Sequence, residues 1–300
     1  MSHSPLISVI IPTYNHANFL RDALRSICTQ TYTDWEAVIV NNFSEDDTVA
    51  VVESFADSRI RLENFRNNGV IAASRNRGIS LARGKYVAFL DSDDTWYPEK
   101  LARCMEYFNN GVGLVCHGLR YIGDQDRDVF CGSEQRATFD ALLYEGNCII
   151  PTATVVLKSF VESVGCFSED PAIVTSEDYH FWIKLTRSNI KMRFIREILG
   201  QYRVHSGNQS SSVQRHLNSV LRVVEEFSPD IVSCDMRALM RIKRRYCIAY
   251  YGAGRSMQRN RQFTKSLPLL LRAIRYWPFF IKSYVAIVLG VFGSAKQWRK

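Results

Sequence analysis

The sequence predicts an α/β domain built on a mostly parallel sheet with helices on both faces, followed by a C-terminal helical extension. Two observations carry this expectation. Through the first half, short β-rich apolar runs alternate with stretches of helical apolar spacing, the pattern of a strand–helix–strand chain. From residue 211 onward the pattern is helical throughout, and it changes charge as well.

Candidate strands fall at residues 7–11, 37–40, 60–63, 86–90 and 112–116. Between them Phe19, Leu20, Ala23, Leu24 and Ile27 define one helix face, and Val49, Val52 and Phe55 suggest another. The middle third is less regular, with strands expected at 154–157 and 200–204 and a helix at 178–187. Helices are expected at 217–227, 236–251, 267–276 and 280–289. The polar run 206–214 is the candidate boundary, dividing a domain at 1–210 from a basic helical region at 211–300. No internal repeat or low-complexity segment interrupts the chain.

The composition is that of a globular protein, 46% hydrophobic and 23% charged. The net charge of +8 conceals an asymmetry. Residues 1–210 carry 21 Lys/Arg and 26 Asp/Glu, whereas 211–300 carry 17 and 4, and no acidic side chain follows Asp235. The eight cysteines (Cys28, Cys104, Cys116, Cys131, Cys148, Cys166, Cys234 and Cys247) form no C-x-x-C pair, which argues against a zinc site and against a stapled secreted domain. No secretory leader is recognisable, because residues 1–5 are polar and the apolar run after them is short. A reducing cytoplasm is the expected location.

In an open parallel sheet, ligands sit at the carboxyl ends of the strands. Loops 12–16, 41–47 and 91–96 are therefore the places to look for chemistry. Asp91-Ser92-Asp93-Asp94 places three carboxylates in four residues directly after a strand. Mg²⁺ and Mn²⁺ take oxygen ligands and are commonly shared between carboxylates and substrate phosphates. Helix capping by Asp94 or Thr95 explains one such residue, but not three anions in mutual repulsion. The run Ser8 to Asn15 is a weaker signal, since Thr13 and Asn15 are also ordinary capping residues.

Three blocks, SVIIPTYNHANFLRDALRSICTQTY, WEAVIVNNFSEDDT and GVIAASRNRGISLARGKYVAFLDSDDTWYPEKL, occur in order across about residues 6–103. With SEDYHFWIKL and YRVHSGNQS they resemble the family 2 glycosyltransferases of the GT-A fold. The resemblance implies an inverting, metal-assisted transfer of a sugar from a nucleotide-diphosphate donor, UDP by default, to an acceptor hydroxyl. Pro12, Thr13, Tyr14 and Asn15 would line the nucleotide pocket, and the loop 41–44, through Asn42 and Ser44, would hold the base. Arg75 would reach the nucleotide. Asp91 and Asp93, flanking Ser92, would form the D-x-D pair that binds ribose, diphosphate and Mn²⁺ or Mg²⁺, with His205 as a further metal ligand. The pair Glu177-Asp178 would supply the catalytic base, with Asp178 the chosen residue. Asp94, Trp96 and Tyr97 are assigned to the acceptor side, an ordinary core role being the competing reading for the two aromatics.

The chemistry is consistent with these roles. Expelling a nucleotide diphosphate requires stabilised charge on the leaving group, and attack from the opposite face requires a carboxylate to take the acceptor proton. The simpler reading of Glu177 and Asp178 is that they favour the positive end of a helix dipole. One departure concerns the base: many relatives carry two aspartates where this chain has Asn41 and Asn42, and an amide donates where a carboxylate only accepts. Trp182, Phe181 and Leu185 are expected in the core. Lys100, beside Glu99, is expected on a solvated helix surface.

Residues 236–300 combine 15 Lys/Arg with no acid and with amphipathic apolar runs. Such segments are attracted to anionic lipid surfaces, and the run 279–292, broken by Lys282, falls short of a membrane span. Peripheral association with the inner face of the cytoplasmic membrane is expected, with a glycan or lipid-linked precursor as acceptor. Packing of these helices with their charges solvated is the alternative, and nucleic-acid binding ranks last for want of any fold signature. The rival functional reading is a non-catalytic relative that binds nucleotide-sugar or a partner in polysaccharide assembly. A dinucleotide oxidoreductase is excluded by the lack of G-x-G-x-x-G after the first strand.

Overall fold

The computed structural model describes residues 5–123, 126–205, 212–228 and 235–297. Cys234 and most of the run 206–214 lie outside the described residues. The chain divides into two compact units, one of residues 1–139 with 148–206 and the other of Asp140–Asn147 with Gly207–Lys300.

In the first unit the elements run β1 (Ile7–Thr13), α1 (Ala17–Cys28), β2 (Trp35–Asn41), α2 (Thr48–Glu53), β3 (Ile60–Asn64), α3 (Ile71–Leu81) and β4 (Tyr86–Phe89). Then come β5 (Thr95–Trp96), α4 (Lys100–Met105), β6 (Val112–Ile122), β7 (Arg127–Val129) and α5 (Phe139–Glu145), whose residues from Asp140 on belong to the second unit. The unit ends with β8 (Thr154–Leu157), α6 (Lys158–Ser163), α7 (Glu177–Thr186) and β9 (Lys191–Arg203).

β1, β2 and β4 are buried along their whole lengths, which is why their residues read as continuous apolar runs. Helix α1 buries Leu20, Ala23, Leu24 and Ile27, positions one, four, five and eight of a single stripe. Helix α3 approaches the sheet closely through Gly78, where an added Cβ would lie 2.5 Å from Ile10 Cγ2. Glu36, buried within β2, accepts hydrogen bonds from Ser8 Oγ and from the Arg83 backbone and guanidinium. Burial works against its charge, but these donors win and hold its carboxyl below the usual range.

The sheet runs β3-β2-β1-β4-β8-β6-β9-β5, with β7 on β6. Strands β3, β2, β1 and β4 are mutually parallel, as the strand–helix alternation predicts. Beyond β4 the sheet is mixed. β8 is antiparallel to both β4 and β6, β9 is parallel to β6, and β5 and β7 are antiparallel to β9 and β6. The mostly parallel expectation thus holds for the first half alone. A strand buried on both faces carries no periodic mark of its direction, so the reversal at β8 was invisible in the sequence. β9 is much longer than the expected 200–204 because charged residues at Lys191, Arg193, Arg196 and Glu197 break up its apolar pattern.

The second unit contains α8 (Val213–Phe227), α9 (Met236–Arg259), α10 (Phe263–Tyr276) and α11 (Ile281–Gln297). Leu217, Cys247, Tyr250, Ala253, Leu269 and Ala273 form its core. The segment Asp140–Asn147 joins it through Arg241, which pairs with Asp140 at 2.9 Å and lies 3.7 Å over the Tyr144 ring. A single division of the sequence near residue 210 does not capture this early segment.

Candidate active site

Parallel strands β1, β2 and β4 deliver their following loops to one edge of the sheet, and the chemistry-bearing residues converge there. Asn15 and Phe43 both adopt positive φ, 51° and 54°, a conformation that asparagine accepts more readily than most residues. The two loops lock together. Asn15 N–H donates to Ser44 Oγ at 2.8 Å, and Asn15 Oδ1 accepts from Glu45 N–H at 2.8 Å. Asn41 Oδ1 accepts from both the amide and the hydroxyl of Ser44, while its Nδ2 donates to Asn64 Oδ1. Asn42 N–H donates to Thr13 O, and Asn42 Oδ1 accepts from Asn67 N–H at 2.9 Å. That last bond fixes the amide, leaving its NH₂ as the group able to meet a ligand.

Two aromatic rings, Tyr14 and Phe43, stand half exposed on these interlocked loops. Flat, half-exposed rings on a rigid base suit stacking on a nucleobase. Pro12 and Thr13 end β1 and are buried, unlike Tyr14 beside them. The buried Thr13 hydroxyl has no hydrogen-bond partner among the described residues.

The acidic loop follows β4, and each carboxylate has a different neighbour. Asp91 Oδ1 receives Arg75 Nη2 at 2.8 Å. Asp93 Oδ2 lies 2.9 Å from His205 Nε2. Asp94 Oδ2 accepts from Thr152 Oγ1 at 2.6 Å and its Oδ1 from Arg203 N–H at 2.9 Å. Burial and the neighbouring carboxylates push Asp93 up and Asp94 well up from the ordinary carboxylate range. Ser92 Oγ is 2.8 Å from His16 Nδ1, and the His16 and His205 rings are 6.0 Å apart. Phe19 stacks on His205 at 4.9 Å, fixing the imidazole beside Asp93.

Among the described residues no three His, Cys, Asp or Glu side chains are arranged to hold a metal by themselves. The donor set nevertheless fits a hard divalent cation of the partial kind. Asp91 and Asp93 offer carboxylate oxygens, His205 a nitrogen, and their mutual repulsion favours a cation. Mg²⁺ and similar ions are usually held by one or two carboxylates with substrate phosphates completing the shell. Asp93 and His205 are the residues placed to do this, with Asp91 sharing its charge with Arg75.

Arg75 is the hinge of the site. Expected to reach the nucleotide, it is instead buried at 3% exposure, with Nη1 on Glu177 Oε1 at 2.6 Å and Nη2 on Asp91. One planar cation thereby ties the acidic loop to the start of α7. Both carboxylates raise its pKa further, against the effect of burial. Glu177 is spent on this bridge, and its Oε2 also accepts from Thr175 N–H at 2.9 Å. Thr175 holds φ at 83°, a strained setting for a β-branched residue, immediately before α7. Asp178, the next side chain, is partly accessible and accepts its neighbour Tyr179 N–H at 2.7 Å. Burial and the adjacent Glu177 push its carboxyl up to about 7, with Arg75 opposing. The two neighbours therefore differ: Glu177 is held by Arg75 and the Thr175 amide, whereas the Asp178 carboxyl is the one raised.

Several expectations need correction. Trp96 is buried, donates its indole N–H to Thr152 O at 2.8 Å, and carries Lys100 Nζ 3.5 Å over its ring. It is a core residue and offers no face to an acceptor. Asp94 is likewise turned inward, holding Thr152 and Arg203. Tyr97 is half buried, its backbone pairing with Leu199 and Gln30. Lys100, expected in solvent, is fully buried, with its Nζ over the Trp96 ring and 3.5 Å from Thr154 O. Phe181, Trp182 and Leu185 are core, as expected. Sequence reasoning passed over Thr152, Asn67 and Arg203 and made no functional claim for His16. None carries a local signal, since each becomes relevant only through a partner at least 25 residues away in the chain.

An α/β domain whose strand-end loops present two half-exposed aromatic rings, an acidic cluster and a carboxylate raised to about 7 has the features of a nucleotide-sugar-dependent transferase. Residues 8–164 match the family described as Glycosyl transferase family 2, and the chain belongs to that family. It is a glycosyltransferase of the GT-A fold. It is 30% identical over 213 residues to the putative teichuronic acid biosynthesis glycosyltransferase TuaG of Bacillus subtilis, covering 69% of this chain and 82% of that one. Identity is also 30% over 224 residues to the Escherichia coli UDP-Glc:alpha-D-GlcNAc-diphosphoundecaprenol beta-1,3-glucosyltransferase WfgD, covering 74% of this chain and 86% of that one. Among solved structures, S. aureus TarS in complex with UDP-GlcNAc superposes with a TM-score of 0.62 at 17% identity, over 93% of this chain and 91% of that one. The Pyrobaculum calidifontis mannosyltransferase PcManGT, in complex with GDP-Man and Mn2+, superposes with a TM-score of 0.57 at 15% identity, over 99% and 87%.

Proposed function

We propose that this glycosyltransferase moves a hexosyl group from a UDP-sugar to a hydroxyl of a lipid-linked glycan precursor, with inversion and with Asp178 as base. The observation that carries the reading is the Asp91–Arg75–Glu177 bridge, which sets a carboxylate of pKa about 7 beside the acidic loop. A base works best when its pKa lies near the working pH. Asp178 takes the proton of the acceptor hydroxyl as that oxygen bonds to the anomeric carbon. The bond from that carbon to the diphosphate breaks, and the nucleotide diphosphate leaves with the electron pair. A divalent ion on Asp93 and His205, when bound, supplies charge stabilisation to the departing diphosphate. Tyr14 and Phe43 bind the base, and the Asn42 NH₂ offers a donor to a carbonyl of its ring.

Two further points support the finer assignment. The name of WfgD pairs a UDP-Glc donor with a beta-1,3 product on a diphosphoundecaprenol acceptor. A β product from an α-linked nucleotide sugar is inversion, and it needs only one carboxylate base. A lipid-linked acceptor would bring this chain to the cytoplasmic face of a membrane.

The test is donor turnover across UDP-glucose, UDP-N-acetylglucosamine and GDP-mannose, with Mn²⁺ or Mg²⁺ and a diphosphate-linked N-acetylglucosamine acceptor. One UDP-sugar is expected to be hydrolysed slowly alone and transferred rapidly with acceptor. Asp93→Ala should abolish both reactions, while Asp178→Asn should keep donor binding and lose transfer by about 10²–10⁴-fold. Undiminished transfer by Asp178→Asn removes Asp178 as base; turnover of GDP-mannose alone removes the UDP assignment.

A further inference from the structure

Helix α11 has its amphipathicity inverted. The side packed against the rest of the second unit is made of small residues, Ser283, Ala286 and Gly290. This small face lies tightly on α9: Gln258 Nε2 donates to Ala286 O at 2.7 Å, and an added Cβ at Gly290 would meet that nitrogen at 2.6 Å. The outward side holds the large residues. Ile281 is 73% exposed, and Val285, Val288, Leu289 and Val291 are between 51% and 60% exposed, with Phe279 at 82% just before the helix. These positions recur at three- and four-residue spacing, so they form one stripe rather than scattered apolar residues. A contiguous apolar stripe of this kind marks a surface that is covered in use.

We infer that this face docks on an anionic lipid bilayer, lying in the plane of the interface. The charge around it selects the occupant. Residues 236–300 hold 15 Lys/Arg and no Asp or Glu, and Lys265, Arg272, Arg275 and Lys282 are exposed on α10 and α11. An apolar face flanked by Lys282, in a stretch of chain with basic residues and no acid, complements phosphate head groups above an acyl layer. A second copy of the same face would bring like charges together with no acid in this stretch to offset them. Spanning is excluded for this helix, whose 17 residues reach about 25 Å, short of a hydrocarbon core of about 30 Å. Among the described residues no helix is long and apolar enough to cross a membrane.

The inference deepens the lipid-linked acceptor reading, yet it stands on the helix face alone. The test floats the full chain with vesicles of phosphatidylcholine alone or mixed with phosphatidylglycerol. The wild type should float with the anionic vesicles, and Val285→Ser/Leu289→Ser should lower binding at least tenfold with unchanged thermal unfolding. Lys282→Gln should lower it about fivefold at low salt. In parallel, transfer to a water-soluble short-chain acceptor should be unaffected by the double variant, while transfer to the same sugar on a long lipid in vesicles should fall. Wild type that stays unbound, or a double variant that floats as well as wild type, overturns the inference. So does a wild-type dimer in the absence of lipid that the double variant abolishes. Wild type that floats normally but glycosylates neither acceptor leaves the docking face standing and removes the acceptor reading instead.

Discussion

At the scale of single residues, the site depends on how one buried cation divides its charge. Arg75 pairs with Asp91 and Glu177 together, and it restrains the rise of Asp178 that burial and Glu177 cause. Asp178 is therefore expected to define the acid limb of kcat/KM, with activity falling as pH drops below about 7. Removing the cation should push that limb to higher pH, because the charge of Arg75 favours the ionised form of Asp178. Arg75→Met should do this and also destabilise the fold by about 3–5 kcal/mol, the usual result of leaving buried carboxylates uncompensated. Arg75→Lys keeps the charge but cannot span both partners with a planar fork, so it should fold better, shift the limb less, and still lose kcat. A pH profile of each variant that superposes on the wild type would show that Arg75 has no hold on Asp178. The raised carboxyl also has a stability consequence. The folded chain keeps this proton up to about pH 7, whereas the unfolded chain gives it up near 3.8. Stability is then lost as pH rises through that window. Asp178→Asn should accordingly melt higher than wild type at pH 8, where that cost is complete, and close to it at pH 4.

At the scale of elements, the sequence was informative where burial and sequence proximity coincide, and silent elsewhere. β1, β2 and β4 were legible because strands buried on both faces are continuous apolar runs, and their following loops carry the polar residues of the site. The acidic loop was legible as three charges in mutual repulsion after a strand, whereas the head of α7 was singled out only by the family resemblance, since acids at a helix start are ordinary. What could not be read was which acid pairs with what: Thr152 and Arg203 claim Asp94 from 58 and 109 residues away. The β5–α4 corner was misjudged for a related reason. A lysine beside a glutamate looks solvated, but Lys100 lies with its ammonium over Trp96 and one long bond to Thr154 O. Burial lowers its pKa to about 8 from 10.5. Below pH 8 the fold therefore carries a buried charge that the unfolded chain leaves in water, and the cost is relieved between pH 8 and 10.5. Lys100→Met, similar in length and uncharged, should raise stability at pH 7 by up to about 3 kcal/mol and by little at pH 10.5. Thermal unfolding at both pH values decides it; destabilisation at pH 7 that is absent at pH 10.5 would mean that the cation–π contact with Trp96 outweighs the desolvation.

At the scale of the whole molecule, the second unit is not one continuous stretch of the chain. The second unit includes Asp140–Asn147, so the chain visits it once before the first unit is complete. Arg241 fastens that early segment with an ion pair to Asp140 and a stack on Tyr144. Ala141, Leu142, Leu143 and Tyr144 are buried in the full chain. A chain ended at residue 206 would remove α8 to α11 and strip these residues of the unit they fold with. Exposed apolar residues of this kind favour association, and the loss should appear as a lower melting temperature and aggregation on size exclusion, even though every residue assigned to the donor site is retained. Ending the chain at residue 278 instead keeps α9 and α10, and with them Arg241, and removes the outward stripe of α11. That shorter loss should leave melting of the catalytic unit nearly unchanged and solubility improved. Should the chain ended at 206 melt as high as the full protein and remain monomeric, the early segment would be an independent part of the first unit, and the C-terminal helices would be the appendage that a linear reading suggests.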